Sequence, residues 1–365
     1  MDIVNKIVET KANKVPLTIL IVVLVLGIGA VLFASNVNPE DIAPKVDVQN
    51  LPVLQKTTPE LDASLGWLNT EPLSSSDLKG KVVVYDFWTY SCINCQRTIP
   101  YLRALNDRYE KDGLVLIGIH TPEFDFEKDK DNVQAASEKY GVNWPVLFDD
   151  NKVNWRNFEN QYWPAKYISD KKGQIRYSHF GEGRYEETED VIRELLGIPE
   201  EESRAVFPGE EDADVSKNIT PEIYINPFRG SLNVEEGKSV VAKKVRPKSD
   251  QVSLFGDVDV QIERTVLSNQ GASLLLNYQA AEVNLVAEPL DNSEVKILKV
   301  TLDSKPIPEG LRGKGVEVDS QGDTIIRIVS SDLINVINSK KIGRYILEFE
   351  AQTPNIALYA FTFGR

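Results

Sequence analysis

The chain has 365 residues, a length that predicts two folded domains and a shorter extra segment, because one domain usually holds about 100 to 200 residues. A formal net charge of −14 disfavours binding to nucleic acid or to anionic lipid headgroups. Only 2 cysteines are present, at positions 92 and 95, which excludes a fold held together by several disulfides.

Residues 15–34 form an apolar run without a charged side chain. As one helix, the run is long enough to cross the ~30 Å hydrocarbon core of a bilayer, and it is longer than the usual ~7–15 apolar residues of a signal peptide. We therefore expect an uncleaved transmembrane anchor at 15–34, with a cleaved signal peptide as the alternative.

The charges on either side of this run predict its direction. Lys6, Lys11 and Lys14 precede the run, whereas Lys45 is the one cation in the segment from residue 35 to residue 50. Cationic flanks remain on the cytoplasmic side of a membrane. The sequence therefore predicts a single-pass protein of the cell membrane with a cytoplasmic tail, 1–14, and a catalytic part that faces the periplasm or the cell surface.

A predicted linker, 35–58, follows the anchor and shows no helical periodicity. Over 59–198, apolar runs then alternate with amphipathic stretches, and this alternation is typical of an α/β sheet. The predicted strands are 82–88, 114–120, 146–150, 165–169 and 174–180, and the predicted helices are 95–109, 127–140 and 186–196.

The character of the sequence changes again beyond residue 198. Residues 199–222 are acidic and poor in apolar side chains, as expected of an interdomain linker. Over 223–365, short β-rich runs recur between turn signals, which predicts an all-β sandwich of the jelly-roll type. Because this second domain has no cysteine, thiol chemistry belongs to the first domain.

Cys92 and Cys95 lie where the strand 82–88 gives way to a predicted helix. The free backbone N–H groups and the dipole at a helix N-terminus favour the thiolate of an exposed cysteine. We expect Cys92 to be the nucleophile, and Cys95, one turn further on and more buried, to attack Cys92 and resolve the mixed disulfide. Such chemistry requires no cofactor beyond the redox-active disulfide Cys92–Cys95, and no metal.

Other uses of the cysteine pair stay open at this point. A structural zinc site would need His120 and His179 as further ligands, and these lack zinc-finger spacing. An inert disulfide would close so short a loop that it stabilises the fold little. A peroxidatic cysteine would fit Thr89, three residues before Cys92, although Tyr85 stands where that motif has a proline.

Two more residues are candidates for the catalytic machinery. Asp86 lies in an apolar predicted strand, where burial would raise the pKa of its carboxyl and let it exchange a proton with Cys95; an exposed strand end is the alternative. A cis peptide bond at Pro164 would place the Trp163 backbone beside the cysteines, where an extended client could pair with it. Since X-Pro bonds are mostly trans, the residues alone leave this second role open.

Four side chains are predicted to contact the client: Trp88, Tyr90, Trp163 and Glu123. Glu123 follows the end of the predicted strand 114–120, and loops at strand ends of α/β sheets often host function. An ordinary surface loop is the alternative for Glu123.

Several stretches of the sequence resemble one known family, the DipZ-type thiol-disulfide proteins, close to the TlpA and redoxin group. Those that resemble its thioredoxin-like domain are DFWTYSCINCQRTIPYL at 86–102, GIHTPEFDFE at 118–127, Trp163-Pro164 and HFGEGRYEETE at 179–189. Those that resemble its carbohydrate-binding-module-like β-sandwich are 220–225, 300–306 and 357–364.

This resemblance implies a thioredoxin fold with Cys92 and Cys95 as the redox pair, Asp86 at the buried-acid position and Pro164 at the cis-proline position. It implies disulfide-bearing or thiol proteins as clients. Family members often carry a multi-span electron-conducting domain of the CcdA type, and here a single predicted span replaces it. The electron donor is then a separate CcdA-type membrane protein, or electrons flow in another direction.

The favoured interpretation is a thiol-disulfide reductase or exchanger. The dipeptide Ile93-Asn94 lacks a histidine that would stabilise the Cys92 thiolate, and a weaker thiolate makes the disulfide a weaker oxidant. A disulfide-introducing oxidase and a thiol peroxidase are the enzymatic alternatives. The alternative of another class is a non-enzymatic envelope protein that binds a glycan or a partner, although its β domain has no Trp for stacking on sugars.

Overall fold

The computed structural model describes residues 46–208, 219–230, 232, 236–291 and 295–364. The predicted cytoplasmic tail 1–14, the predicted anchor 15–34 and part of each predicted linker lie outside these ranges. Across the ranges that are described, no helix combines the length and the apolar character needed to cross a bilayer.

The first domain consists of strands and helices in alternation. Its strands are β1 (Trp67–Leu68), β2 (Val82–Trp88), β3 (Leu114–His120), β4 (Val146–Phe148), β5 (Ala165–Ser169) and β6 (Ile175–Phe180). Its helices are α1 (Ser75–Leu78), α2 (Ile93–Tyr109), α3 (Lys130–Tyr140), α4 (Val153–Asn157) and α5 (Tyr185–Leu196), with short 3₁₀ turns at Val48–Asn50, Glu110–Asp112 and Asp125–Lys128.

These strands form one mixed sheet in the order β1-β4-β3-β2-β5-β6. Strand β3 runs parallel to β2 and β4, whereas β1, β5 and β6 pair in antiparallel fashion with their neighbours. The predicted α/β architecture of the first domain is therefore present. Strand β2 lies at the centre, and every one of its residues is buried.

The apolar side chains of β2 explain its central position. The ring centroids of Tyr85 and Phe87 each lie 5.2 Å from that of Phe158, and the Phe87 and Tyr167 centroids are 5.8 Å apart. Burial of each such side chain contributes roughly 1.5–3 kcal/mol. This packing carries the single acidic residue of β2, Asp86, into the core.

The end of the predicted linker 35–58 pairs with the first domain. The Leu54 amide donates to the Ile175 carbonyl at 2.8 Å, and the Thr58 amide donates to the Gly173 carbonyl at 2.7 Å. Strand β6 lies at the edge of the sheet, and this segment supplies partners for its free carbonyl groups. The end of this predicted linker therefore contacts the edge of the sheet.

The predicted acidic linker 199–222 likewise contacts the first domain at its start. The guanidinium of Arg193 on α5 donates to the carbonyl of Pro199 at 2.6 Å, and Phe207 packs on Tyr101 with ring centroids 5.6 Å apart. Because Arg193 is buried, the chain wraps around it to supply acceptors. The first half of this linker thus belongs to the surface of the first domain.

The second domain is strand-rich, as predicted. Its strands are β7 (Ile223–Tyr224), β8 (Gly237–Val241), β9 (Gln251–Val260), β10 (Thr265–Leu267), β11 (Ser273–Pro289), β12 (Lys296–Leu302), β13 (Lys305–Pro306), β14 (Glu317–Val318), β15 (Thr324–Ile328), β16 (Asp332–Ala351) and β17 (Ile356–Gly364), with a 3₁₀ turn at Glu309–Leu311.

In the described part of this domain, the strands share one continuous hydrogen-bonded ladder. Strand β11 pairs with β16 along its length, with β9 over Ser273–Asn277 and with β17 over Glu282–Pro289. Register shifts interrupt the pairing of β11 with β16 after Ala280 and after Val283, and such bulges bend a strand. Where the sequence predicts two packed sheets, the hydrogen bonds of the described residues join the strands into one 11-stranded sheet, with the long strands β11 and β16 paired at its centre.

Candidate active site

Cys92 and Cys95 lie at the start of α2, as the sequence predicts. Cys92 is the N-cap residue of α2, and its Sγ accepts a hydrogen bond from the Cys95 amide at 3.3 Å. Both residues are free thiols; Cys92 is partly exposed, whereas Cys95 is only 1% exposed. Cys92 is thus accessible to a client, whereas Cys95 is buried.

Asp86 of β2 is buried next to a buried lysine. It faces Lys166 of β5 across the antiparallel register, with 3.9 Å between Lys166 Nζ and Asp86 Oδ1. Burial raises the pKa of Asp86 to about 6, and the positive charge of Lys166 opposes this increase. The alternative of an exposed strand-end carboxylate is excluded, since Asp86 is 2% exposed.

The buried thiol and the buried acid influence each other. Burial raises the pKa of the Cys95 thiol well above its ordinary value, and the charges of Cys92 and Asp86 add to the increase. A thiol of high pKa needs a nearby base before it can attack. Asp86 is ionised near neutral pH and lies close enough to act electrostatically on Cys95.

A second buried carboxylate, Glu127, fastens the loop that carries Cys92. Its Oε1 accepts from the Ser91 hydroxyl at 2.5 Å, and its Oε2 accepts from the amides of Glu123 and Phe124 at 2.5 and 2.9 Å. Burial raises the pKa of Glu127. Glu127 was not among the predicted site residues: its carboxylate caps the Phe124 amide at the start of the 3₁₀ turn Asp125–Lys128, but Phe124 has no side-chain oxygen, so the sequence shows no capping-box pattern here.

A cleft of about 560 Å³ opens beside Cys92, and residues of both domains line it. We call it the interdomain cleft. The first domain contributes Cys92, Glu123 and Trp163, and the second contributes Glu222 and Tyr224 among others. The predicted contact residues Glu123 and Trp163 are thus brought to the nucleophile.

Glu123 is part of a polar network that crosses the cleft. Its Oε1 accepts from the Tyr224 hydroxyl at 2.8 Å and from the Arg229 guanidinium at 2.6 Å. The Tyr224 oxygen also lies 2.9 Å from Glu222 Oε2. Because the side chain of Glu123 is only 9% exposed, its alternative as an ordinary surface-loop residue is not supported.

The remaining predicted site residues divide into two groups. The Trp163–Pro164 peptide bond is cis, and the Trp163 indole donates to the Thr121 carbonyl at 3.0 Å. Trp88 and Tyr90, in contrast, are each 2% exposed and do not line the cleft. The prediction that these two contact the client is corrected: both pack against a side chain of the core.

That side chain is His120, one of the two histidines considered for a zinc site. Its ring centroid lies 5.2 Å from that of Trp88 and 5.9 Å from that of Tyr90, and burial lowers its pKa to about 3. His179 Nε2 lies 2.9 Å from the Glu182 carbonyl. Within the described ranges, no three His, Cys, Asp or Glu side chains are grouped so that they could hold a metal.

The second domain packs directly against the site. Phe124 and Phe126 contact Tyr359, with ring centroids 4.9 and 4.8 Å apart, and Lys139 pairs with Asp332 at 2.5 Å. Phe124 and Phe126 belong to the loop after β3, which also carries Glu123 and Glu127, and Lys139 belongs to α3. The wall of the cleft is therefore supported by both apolar and ionic contacts.

Two family models match the chain. Residues 54–178 match the AhpC/TSA family, and residues 220–364 match a thioredoxin like C-terminal domain. Protein DipZ of Mycobacterium bovis is 34% identical over 261 residues, which are 68% of this chain and 37% of DipZ. The chain thus spans less than half the length of the DipZ proteins that it matches.

Shorter relatives match the first domain. Thiol-disulfide oxidoreductase YkuV of Bacillus subtilis is 27% identical over 147 residues, which are 40% of this chain and 99% of YkuV. A solution structure of a thioredoxin-like protein in the oxidized form is 28% identical, covers 40% of this chain and 97% of that chain, and has a TM-score of 0.37.

Proposed function

Because this chain belongs to the thioredoxin-like proteins, with an AhpC/TSA-family domain followed by a thioredoxin-like C-terminal domain, we propose that it is a thiol-disulfide oxidoreductase. The resemblance to DipZ-type proteins is confirmed by the match to DipZ. The observation that carries the proposal is the position of the two thiols, one accessible at a helix N-terminus and one buried a turn later.

The first step forms a mixed disulfide. The thiolate of Cys92 attacks one sulfur of a client disulfide, so that a Cys92–client S–S bond forms and the other client sulfur leaves as a thiolate. The Cys95 amide, 3.3 Å from Cys92 Sγ, stabilises negative charge on that sulfur. Trp163 and Glu123 line the cleft into which the client chain must enter.

The second step resolves the mixed disulfide. Cys95 loses its proton and attacks Cys92 Sγ, which forms the Cys92–Cys95 disulfide and releases the second client sulfur as a thiolate. The client has gained two electrons, and the protein has lost two. We assign Asp86 as the acceptor of the Cys95 proton, because its charge acts on the Cys95 thiol and burial raises its own pKa to about 6.

The direction of electron flow that we propose is reduction of the client. A strongly oxidising disulfide requires a stabilised Cys92 thiolate, usually through nearby positive charge. Arg229, which lines the cleft together with Cys92, is paired with Glu123, and Arg97 of α2 is paired with both Glu182 and Glu282. The charge of each arginine is therefore offset by at least one carboxylate, and Ile93 and Asn94 add no positive charge.

We further propose that the reaction takes place outside the cytoplasm, with the run 15–34 as a single-pass anchor and a separate CcdA-type membrane protein as electron donor. The support is the length of this run and the cations that precede it. An extracytoplasmic reductase needs such a donor, since two electrons must return to the Cys92–Cys95 disulfide after each cycle.

Substitution of either cysteine tests the mechanism. In Cys95→Ser, a client disulfide should remain attached to Cys92 as a stable mixed disulfide, visible on a non-reducing gel and by mass spectrometry. In Cys92→Ser, no such adduct should form, because Cys95 is buried. Equal adducts in both variants, or in neither, would contradict the assignment of Cys92 as the nucleophile.

A further inference from the structure

The second domain has no role in the exchange steps described above, yet it forms a wall of the interdomain cleft. Tyr224, Glu222 and Arg229 project from this wall and lie in the same cleft as Cys92. A volume of about 560 Å³ is in the range of pockets that bind small-molecule-sized groups. It admits a few residues of an extended chain rather than the surface of a folded domain.

Glu123 and Glu222 both line the cleft, but their carboxylates differ in their ionic partners. Glu123 is neutralised by Arg229, which also stacks on the Tyr224 ring at 3.7 Å. Glu222, in contrast, is an exposed residue that lines the cleft, and among the described residues its carboxylate contacts the Tyr224 hydroxyl but has no ion-pair partner within 4 Å. A carboxylate without a paired cation therefore faces the space in which a client must lie.

The Tyr224 hydroxyl lies within hydrogen-bond distance of the carboxylates of both Glu123 and Glu222. A single phenolic hydrogen cannot serve Glu123 and Glu222 at once, although the Tyr224 oxygen is within 2.9 Å of both. When the Tyr224 hydrogen points to Glu123, which also accepts from Arg229, the Tyr224 oxygen offers Glu222 no donor. Glu222 is then left to accept a hydrogen bond or an ion pair from a client.

We propose that Glu222 is a specificity-determining residue that selects extended, disulfide-bearing peptide segments with a lysine or arginine next to the reacting cysteine. This inference rests on the proposed function, because the selected segment must bring its disulfide to Cys92. The client cation pairs with Glu222 when the mixed disulfide forms. The pairing adds no covalent step, so electrons and protons balance as in the exchange itself.

The test compares two synthetic peptides that contain one disulfide and differ only in a Lys or a Glu beside the cysteine. The value of kcat/KM for each is measured at pH 8 with the full chain. We expect the wild-type protein to favour the Lys peptide by about threefold to tenfold, the size expected for one partly solvated ion pair. Glu222→Gln should bring the ratio close to one, and Glu222→Lys should invert it.

A matched control is Glu317→Gln, which removes an exposed carboxylate from the same domain, away from the cleft, and should keep the wild-type ratio. If the wild-type protein reacts with both peptides at equal rates, or Glu222→Gln keeps the preference, the inference is wrong while the proposed function stands. If neither peptide reacts in a Cys92-dependent manner, the proposed function itself fails.

The pH provides a second readout that a purely structural role would not alter. The groups that face Glu222 are Glu123, Tyr224 and Arg229. Partial desolvation in the cleft and the charge of Glu123 raise the pKa of Glu222 to about 7, against the opposing effects of the Tyr224 hydrogen bond and the charge of Arg229. A carboxyl of raised pKa is ionised only above that value, so the preference for the Lys peptide should be present at pH 8 and decline at pH 6. A ratio that does not change between these pH values would contradict the inference.

Discussion

Asp86 and Lys166 form a buried pair of ionisable side chains within the sheet, and each is at most 2% exposed. Burial of an isolated charge is costly, and at 3.9 Å the two groups compensate each other only in part. The pKa of Asp86 is consequently raised to about 6. A carboxylate of this pKa is a base of moderate strength at neutral pH, as proton transfer from Cys95 requires.

Replacement of Asp86 by Asn tests this role. We expect Asp86→Asn to slow resolution of the mixed disulfide by about tenfold to a hundredfold at pH 7 and to leave its formation unchanged, because only the second step needs the base. The wild-type resolution rate should fall as the pH is lowered through about 6, where the carboxylate becomes protonated, and the variant should lose this dependence. Rapid acid quench and alkylation of free thiols measure both steps.

Asp107→Asn, an exposed substitution on α2, is the control and should behave as the wild-type protein does. Equal slowing of both steps in Asp86→Asn would contradict a role confined to resolution.

Lys166 should set the pH at which this base acts. Its positive charge lowers the pKa of Asp86 against the effect of burial. In Lys166→Met the pKa of Asp86 should therefore rise further, so the midpoint of the resolution rate should move to a pH above about 6. The exposed substitution Lys172→Met should not move it. An unchanged or lower midpoint in Lys166→Met would show that the pair is not coupled.

At this scale the sequence predicts some side chains and misses others. Cys92, Cys95 and Asp86 are predicted because their local context, an apolar strand followed by a helix start, determines where they lie. Lys166 is missed because its partner is brought by a different strand, and only the register of β2 with β5 joins them. The prediction for Tyr90 is wrong because an aromatic loop residue gives the same sequence pattern whether it faces a client or the core.

The loop between β2 and α2 is the element that presents Cys92. Glu127 bonds to Ser91 in this loop and to the amides of Glu123 and Phe124 in the loop after β3. These bonds to a buried carboxylate link the nucleophile to the cleft wall. Charge-assisted hydrogen bonds of this kind are stronger than neutral ones.

Glu127→Gln should lower the free energy of unfolding by about 1–3 kcal/mol. The glutamine side chain has an NH₂ group in place of one carboxylate oxygen. This group cannot accept the hydrogen bonds that the Ser91 hydroxyl and the backbone amides of the loop now donate to Glu127. Urea denaturation followed by tryptophan fluorescence measures this loss.

The exposed substitution Glu138→Gln on α3 is the matched control, with an expected change within about 0.5 kcal/mol. Equal stability of Glu127→Gln and Glu138→Gln would contradict the assignment of Glu127 as the residue that fastens the loop.

Elements are predicted better than their ends. Strands 82–88, 114–120 and 165–169 have the bounds that the sequence predicts, because each is a mainly apolar run between turn signals. Helix α2 starts two residues earlier than predicted, since Cys92 itself provides the N-cap. The short elements β1, α1 and α4 are missed, as two to five residues show no periodicity.

At the scale of the whole molecule, the active-site cleft depends on the contact between the two domains. Phe126, 7% exposed, packs on Tyr359 of the second domain, and Arg97 on α2 bonds to Glu282 of β11. Apolar and ionic contacts thus hold the cleft wall against the nucleophile. The specificity that we infer for Glu222 requires this contact to persist in solution.

Phe126→Ala should weaken this contact. Truncation of a buried Phe costs about 3–5 kcal/mol, and here part of the loss falls on the interface. We expect scanning calorimetry to show one unfolding transition for the wild-type protein and two separated transitions for the variant.

Phe228→Ala removes a 64% exposed aromatic from the same second domain and should leave the single transition unchanged. A single transition at the wild-type temperature in Phe126→Ala would mean that the two domains do not stabilise each other through this contact.

The arrangement of the domains is the part that the sequence does not predict. Its contacts join residues more than a hundred positions apart, such as Arg97 with Glu282, and no local pattern identifies such pairs. Arg97 illustrates this: its position near the helix N-terminus suggests either an effect on the thiolate or a solvated side chain, and in the structure it links the domains. Tyr224 likewise has no sequence signal that places it in the cleft.

The most direct test of the central claim is the reduction potential of the Cys92–Cys95 pair, measured in thiol redox buffers with alkylation of free thiols. We predict a two-electron potential at or below about −230 mV, as expected of a reductase. A potential near −120 mV would contradict the proposed direction of electron flow, and failure of the two thiols to form a disulfide would contradict thiol-disulfide exchange altogether.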